Sequence, residues 1–387
     1  MKRIPAFILL FFVLQACSKP EKEIIPAANL FDKYEHLIKN KRVGLVGNHT
    51  SLVGDVHLVD TLLTRGTRIV KIFGPEHGFW GGGNAGSKIL DEKHPVHDIE
   101  IVSLYGSKKK PSDSDMEGID IMIFDIQDVG TRFYTYISTL QYVMEACAGN
   151  NIKLLVLDRP NPNGFYVDGP VLDTSFKSFV GLTPIPVVHG MTVAEYALMI
   201  NAEGWLEGGV RCDLSVIECD NYTHSTYYEL PVKPSPNLPD MNSVYLYPST
   251  CFFEGTVMSC GRGTNTPFQV FGHPDMPDKG FSFVPQPNEG SSDPRFNGIE
   301  CFGVDLRNAA RDGLVPSPRL QLNWLIDAYN DFPEKENFFT SYIRLLAGTD
   351  ELEKQIISGM SEDEIRASWK DELEEFKKIR KKYLLYD

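Results

Sequence analysis

Short apolar runs alternate along this chain with stretches whose apolar residues recur every three or four positions. Arg42 to Asn48 reads as a first buried strand, followed by the polar loop Asn48-His49-Thr50-Ser51. Between Val56 and Thr64, the residues Leu58, Val59, Leu62 and Leu63 have helical spacing, and Gly66 ends that helix. Arg68 to Phe73 reads as a second strand, Ile99 to Leu104 as a short third and Ile119 to Phe124 as a buried fourth. A helix follows with Ile137, Leu140, Met144 and Cys147 as its stripe, closed by Gly149-Asn150. Lys153 to Leu157, Ile185 to His189 and Asp213 to Cys219 are further strands. Thr192 and Glu195 form a capping box that opens a helix from Val193 to Trp205. Strands alternating with helices predict a mostly parallel sheet covered on both faces, an α/β fold with Rossmann-like rhythm. No Gly-x-Gly-x-x-Gly follows the first strand, so no dinucleotide or other cofactor is expected.

The pattern changes after about Tyr222. Pro234-Ser235-Pro236-Asn237-Leu238-Pro239 must be extended loop. Phe281 to Pro285 and Gly298 to Leu306 read as strands of a smaller α+β unit, and Leu320 to Tyr329 as a helix. Ser361 and Glu364 form another capping box, opening a C-terminal helix with Ile365, Trp369, Leu373, Phe376 and Ile379 on one face. Lys377, Lys378, Arg380, Lys381 and Lys382 crowd its end, where cations complement the helix dipole. The expected division is a Rossmann-like catalytic domain over 39–225 and a smaller C-terminal α+β domain over 226–387 that completes a cleft.

Length and charge narrow this further. A chain of 387 residues suits two domains, and a formal net charge of -14 argues against nucleic acid or anionic membrane as a non-specific partner. Residues 1–17 read as a lipoprotein signal peptide. Lys2 and Arg3 give a basic start, Ala6 to Leu14 is a short apolar core, and Leu14-Gln15-Ala16-Cys17 is a lipobox that makes Cys17 the lipidated residue. A membrane-spanning helix, the other reading, needs ~20 apolar residues, roughly twice this run. Residues 18–38 would then be a tether, and Ser18 in place of Asp favours outer-membrane sorting in a Gram-negative cell. The expected location is the cell envelope, periplasmic or outer-membrane. Six cysteines remain beyond Cys17, either paired or buried as thiols in a core that needs no staples.

Ligands of open α/β sheets bind outside the carboxyl ends of the strands. Four predicted strands exit into polar clusters: Glu76/His77, Asp125/Gln127/Asp128/Arg132, Asp158/Arg159/Asn161/Asn163 and His189. Their shared position argues that they line one cleft. Each also has a structural reading. Asp125 suits a helix cap, Asp158 and Arg159 suit a mutual pair pinning the proline loop, and His189 suits a satisfied core histidine. Glu76, between proline and histidine at a strand exit, has no capping role. Phe79, Trp80, Tyr134 and Tyr136 set aromatics beside these acids.

Carboxylates among aromatics and amides suit a sugar. Rings stack on pyranose C–H groups, while Asn, Asp and Arg fork to hydroxyls. Glycoside cleavage needs an acid at the leaving oxygen and a base or nucleophile opposite it, and low-dielectric surroundings keep a glutamate protonated for the first role. Glu254 is a second candidate carboxylate, or else a structural partner of Arg262. There is no Gly-x-Ser-x-Gly elbow and no His-Glu-x-x-His. His77, Asp125, Asp128 and His189 have no diagnostic metal spacing, so no metal site is assigned.

Several long motifs then occur in a telling order. Phe73-Gly74-Pro75-Glu76-His77-Gly78, Phe124 to Tyr136, Asp158-Arg159-Pro160-Asn161-Pro162, Phe253-Glu254-Gly255-Thr256, Gly261-Arg262-Gly263-Thr264 and Tyr383-Leu384-Leu385-Tyr386 resemble the NamZ family of exo-β-N-acetylmuramidases, glycoside hydrolase family 171. The likeness runs from about Val43 to the C-terminus. It implies a Rossmann-like domain and a smaller C-terminal domain with the active site between them. It further implies release of N-acetylmuramic acid from non-reducing ends of peptidoglycan fragments, with Glu76 as the catalytic candidate. Trp80 stands where the family carries arginine, which bears on how the substrate's lactyl carboxylate is met; Arg132, Arg159 or Arg262 are the substitutes the sequence offers.

The expectation is therefore a lipid-anchored exo-glycosidase acting in wall turnover or salvage, with Glu76 as general acid. Asp125, Asp128 or Glu254 would be the second carboxylate, unless the substrate's acetamido group takes part. His77, Gln127, Arg132, Tyr134, Tyr136, Asp158, Arg159, Asn161, His189 and Arg262 would bind the sugar. The competing readings are an envelope protein that binds wall sugars without turnover, and a metal-dependent hydrolase.

Overall fold

Period-two alternation in the apolar runs decides the architecture. In β1 (Arg42–Gly47), Val43 and Leu45 face one apolar cluster and Val46 the other. β2 (Arg68–Gly74) turns Ile72 one way and Phe73 the other. Beyond it come the two-residue β3 (Glu92–Lys93) and β4 (Glu100–Ser103). β5 (Ile121–Asp125) sends Ile121 and Ile123 to one face and Met122 and Phe124 to the other. β6 (Lys153–Leu157) divides Leu155 and Leu157 from Leu154 and Val156 in the same way. Strands apolar on both sides must be covered on both sides, which is the condition for a parallel sheet between helix layers.

The computed structural model describes residues 22–83 and 92–387. It has that sheet, seven strands in the order β9-β6-β5-β1-β2-β4-β3, where β9 is Leu214–Ile217. All neighbours are parallel except the β3 edge, which is antiparallel to β4. One face packs on α1 (Phe31–Ile38) and α2 (Leu58–Thr64), the other on α3 (Tyr136–Gly149) and α4 (Val193–Glu203). The chain runs outward from β1 in one direction through β2 and β4, and in the other through β5 and β6. The strand order therefore reverses at β1/β5, beside which a crevice forms.

Three expectations change here. Residues 18–38 are not all tether: Ile25 bridges to Asp220, and Ala27, Ala28, Phe31, Tyr34 and Ile38 are core residues. The alternation of Phe31, Tyr34 and Ile38 is helical, and the apolar face they make is buried against β1 and α2. The run before His189 is strand, but Pro186–Val188 (β8) pairs antiparallel with Asp168–Val171 (β7) in a separate ribbon. The C-terminal helix is two, Glu362–Ser368 and Lys370–Arg380, broken at Trp369; the Ser361 capping box opens the first. Of the basic cluster, Lys377 and Lys378 pair with Glu374 and Glu375 on the surface, whereas Arg380 reaches inward to the Gly190 carbonyl. Cys17 and its signal segment lie outside the described residues. The six other cysteines are buried thiols.

The second unit has a small antiparallel sheet of β10 (Val270–His273), β11 (Ser282–Phe283) and β12 (Cys301–Asp305), in the order β10-β12-β11, with helices around it. It has no separate core. Phe252, Phe253, Phe268 and Phe271 belong to the same apolar cluster as Phe124 and Val156 of the large sheet.

The chain end then returns to the first unit. Tyr386 donates its hydroxyl to Asp158 Oδ2 at 2.7 Å and accepts the Cys219 N–H at 2.8 Å, and Leu385 N–H donates to Glu195 Oε1 at 2.8 Å. Burial pushes the Asp158 carboxyl up to about 7. Tyr386→Phe leaves two buried polar groups without their partner, which costs about 1–3 kcal/mol. A urea melt should show the midpoint falling with the slope unchanged.

Candidate active site

Glu76 projects from a tight turn at the end of β2. Gly74 lies so close to the returning chain that a Cβ there would meet Phe79 N at 2.8 Å. His77 adopts a left-handed backbone with φ 68°, rare for a side chain of its size. The turn holds it there: Gly78 N–H donates to Pro75 O at 2.9 Å, and Gly83 N–H to His77 O at 3.0 Å. His77 Nδ1 bonds the Gly83 carbonyl at 2.6 Å. A carbonyl only accepts, so Nδ1 carries the proton. Burial lowers the His77 pKa, which leaves a neutral ring with Nε2 as an acceptor. Thr135, at the start of α3, donates its hydroxyl to Glu76 Oε2 at 2.6 Å.

Glu76 and His77 line a cavity of about 560 Å3 between the two units. From the first unit come Tyr105, Phe133, Tyr134, Thr135 and Tyr136. From the second come Ser235, Asn237, Tyr247, Glu254, Arg262, Phe268, Arg295 and Tyr342, with Asp293 at an exposed position. Glu254 sits in the 3-10 turn Cys251–Gly255. Gly255 lets that turn pack flush on the helix Tyr342–Ala347, where a Cβ would meet Ile343 Cα at 2.5 Å. Arg262 Nε donates to Glu254 Oε1 at 2.6 Å, and its guanidinium lies 5.2 Å from the Phe268 ring centre. The Tyr342 phenol is raised mainly by burial, then by the negative charge of Glu254 and, more weakly, of Glu76. Both carboxyl groups thus surround one space.

Comparison with known proteins agrees with this plan. The family model described as exo-β-N-acetylmuramidase NamZ, N-terminal, matches residues 43–242, and its C-terminal counterpart matches 245–386. The peptidoglycan β-N-acetylmuramidase NamZ of Bacillus subtilis (strain 168) is 37% identical over 381 residues, 92% of this chain and 90% of its own. The chain belongs to the NamZ family. Two solved structures of DUF1343-family proteins from Bacteroides fragilis share the fold. One has TM-score 0.88 and 47% identity over 95% of this chain and 99% of its own. The other has TM-score 0.76 and 26% identity over 94% and 99%. The junction between the two NamZ models falls just past the proline-rich loop that supplies Ser235 and Asn237 to the cavity.

Within this NamZ fold the predicted residues separate into two groups. Glu76, His77, Tyr134, Tyr136, Glu254 and Arg262 line the cavity. The hydroxyl of Tyr134 is committed to Pro234 O at 2.9 Å, which leaves its ring as the part available to the cavity. The rest do not reach the cavity. Asp125 accepts both Nε and Nη2 of Arg159, at 2.6 and 2.8 Å, and neither side chain is more than 2% exposed. Arg159 therefore pairs with Asp125 and not with its neighbour Asp158, which instead accepts the Ala194 N–H at the start of α4. Arg132 is fully buried and donates to the carbonyls of Pro170, Ile185 and Leu346. Gln127 donates to the carbonyls of Asp128 and Pro160, and Asn161 to that of Met191. His189 is a core histidine: Nδ1 accepts the Met191 N–H, and burial drives its pKa down to about 3. His77, Asp125, Asp128 and His189 are not gathered as a ligand set, since each has its own separate contacts.

Thr135, Asn237, Tyr247, Arg295 and Tyr342 were not foreseen. Thr135 lay inside a quoted motif, and Asn237 inside a segment read only as loop. Arg295 and Tyr342 carry no local signal, because they reach the cavity through tertiary packing.

Asp128 is another predicted residue that stays outside the cavity. It is buried, accepts the Gly130 N–H at 2.7 Å through Oδ1, and leaves Oδ2 without a partner. Burial raises its pKa to about 7, against an ordinary value near 4. The folded state thus holds a proton that the unfolded chain releases, so Asp128 stabilises the fold at low pH and that contribution is lost as pH rises from about 4 to about 7. Asn mimics the protonated acid. Thermal melts of Asp128→Asn and wild type should show the variant gaining on wild type between pH 5 and pH 8. A parallel course would refute the buried acid.

Proposed function

We propose that this protein is an exo-acting β-N-acetylmuramidase, a glycoside hydrolase that releases N-acetylmuramic acid from non-reducing ends of peptidoglycan fragments in cell-wall turnover or salvage. One observation carries the reading. Glu76, bonded by Thr135, shares a cavity with the Glu254–Arg262 pair, in a chain 37% identical to a peptidoglycan β-N-acetylmuramidase.

The chemistry follows from the contacts. Glycoside hydrolysis needs a proton at the leaving oxygen. Thr135 donates to Oε2 of Glu76, which leaves Oε1 as the oxygen to deliver that proton. Glu254 accepts the Arg262 guanidinium at 2.6 Å. It takes the second role, stabilising the oxocarbenium-like transition state or activating water, alone or with the substrate's acetamido group. The rings of Tyr134, Tyr136 and Tyr247 give the sugar apolar walls, and Asn237 and Ser235 give it polar contacts.

The lipobox supports an anchor at Cys17 and a place in the cell envelope, periplasmic or outer-membrane, where peptidoglycan is at hand. Because the chain is docked from Ile25 onward, the tether would be the short segment before it.

The test is hydrolysis of a chromogenic β-N-acetylmuramic acid glycoside by the chain from Ser18, with the β-N-acetylglucosamine glycoside alongside. Glu76→Gln should lower kcat by about 100- to 10,000-fold while the melting temperature stays close to wild type. Binding of wall sugars without turnover, unaffected by Glu76→Gln, would favour the non-catalytic reading. Activity lost to a chelator and restored by a divalent ion would favour the metal-dependent one.

A further inference from the structure

N-acetylmuramic acid differs from N-acetylglucosamine by a lactyl ether that ends in a carboxylate. A site that selects the first needs an available cation facing its cavity. The sequence offered Arg132, Arg159 and Arg262. The first two are buried away from the cavity, and Arg262 is already paired with Glu254. Trp80 packs edge-on against Phe79, is 51% exposed and is not among the residues lining the cavity. His77 is neutral.

Arg295 is different. It lines the cavity, and its Nη1 donates to the carbonyls of Thr256 and Met258, at 2.5 and 2.7 Å. Carbonyl dipoles fix a guanidinium's plane without cancelling its charge. Among the described residues Arg295 forms no ion pair with a carboxylate, so Nε and Nη2 remain as a two-pronged donor edge. Its position is also built in. Pro294 packs so tightly on the turn after Arg262 that a Cβ on Gly263 would meet Pro294 Cβ at 2.5 Å. Thr256 and Met258 follow directly on the turn that carries Glu254. The cation is therefore held in a fixed relation to the second carboxylate.

We propose that Arg295 is the specificity residue that binds the lactyl carboxylate of the substrate. The identity of that ligand rests on the muramidase reading above. The test measures binding apart from turnover. N-acetylmuramic acid and N-acetylglucosamine are titrated into wild type, Arg295→Gln and Arg295→Lys, followed by ligand-observed NMR, with kcat and KM on the muramic glycoside measured in parallel. Arg295→Gln should weaken N-acetylmuramic acid about 10- to 100-fold. N-acetylglucosamine should be unaffected, which also reports an intact fold. Lys should restore part of the loss, and KM should rise with kcat within about threefold. Equal binding of N-acetylmuramic acid by wild type and Arg295→Gln would overturn the assignment, as would a wild type that does not prefer it to N-acetylglucosamine. If wild type fails to cleave the glycoside but loses N-acetylmuramic acid binding on Arg295→Gln, the subsite stands and the glycosidase reading falls.

Discussion

The bidentate bond between Arg159 and Asp125 sets the rules for the whole carboxyl edge of the sheet. Two opposite charges there are almost completely removed from water. Such a pair is tolerated only if its geometry is good and its remaining atoms are bonded. Arg159 meets the second condition by donating to Leu52 O at 3.0 Å, which ties the exits of β1, β5 and β6 together. The same demand runs through the neighbouring loops. Asn163 donates to the carbonyls of Val129 and Val244, and Arg132 holds three more carbonyls. Polar residues at these strand ends are committed to joining backbone segments. They make a rigid floor, and Glu76 at the exit of β2 is what that floor presents to the cavity.

A floor of this kind cannot supply a complete site, so the second unit must. Glu254, Arg262 and Arg295 come from loops that pack on one another and on the helix Tyr342–Ala347. The two units share one apolar cluster. The separation of Glu76 from Glu254 is accordingly set by core packing, which resists small displacements, and not by a flexible hinge. Groups placed across such a seam keep their geometry without an ordering cost when a ligand enters.

The fold was legible where the cause is local. Short apolar runs marked β1, β2, β5 and β6, and the Thr192 and Ser361 capping boxes marked helix starts that the structure has. Partner strands were not legible, so the ribbon of β7 and β8 looked like one more sheet strand and carried His189 to the wrong place. At the site, position at a strand exit marks Glu76 and His77 but equally marks Asp125, Asp158, Arg159 and Asn161. Residue type and position are the same for a buried pair and for a catalytic acid. Only the number of buried carbonyls and charges needing partners tells them apart, and that is a tertiary quantity. Arg295 was missed for the converse reason: nothing in its neighbours Asp293 and Pro294 indicates that its guanidinium will be clamped by two carbonyls some forty residues back.

The two cavity carboxyl groups are not equivalent, and their surroundings divide the work. Beside Glu76 stand a hydroxyl donor and an imidazole that burial keeps neutral, with its Nδ1 proton on the Gly83 carbonyl. Glu254 has a guanidinium as its partner. A proton donor must be able to lose its proton and regain it within one cycle, which a neutral setting permits. A group that faces developing positive charge must stay an anion throughout, which a fixed cation secures. The proposed reading accordingly takes its acid from the first unit and its charge-stabilising group from the second, with the reacting bond across the seam between them.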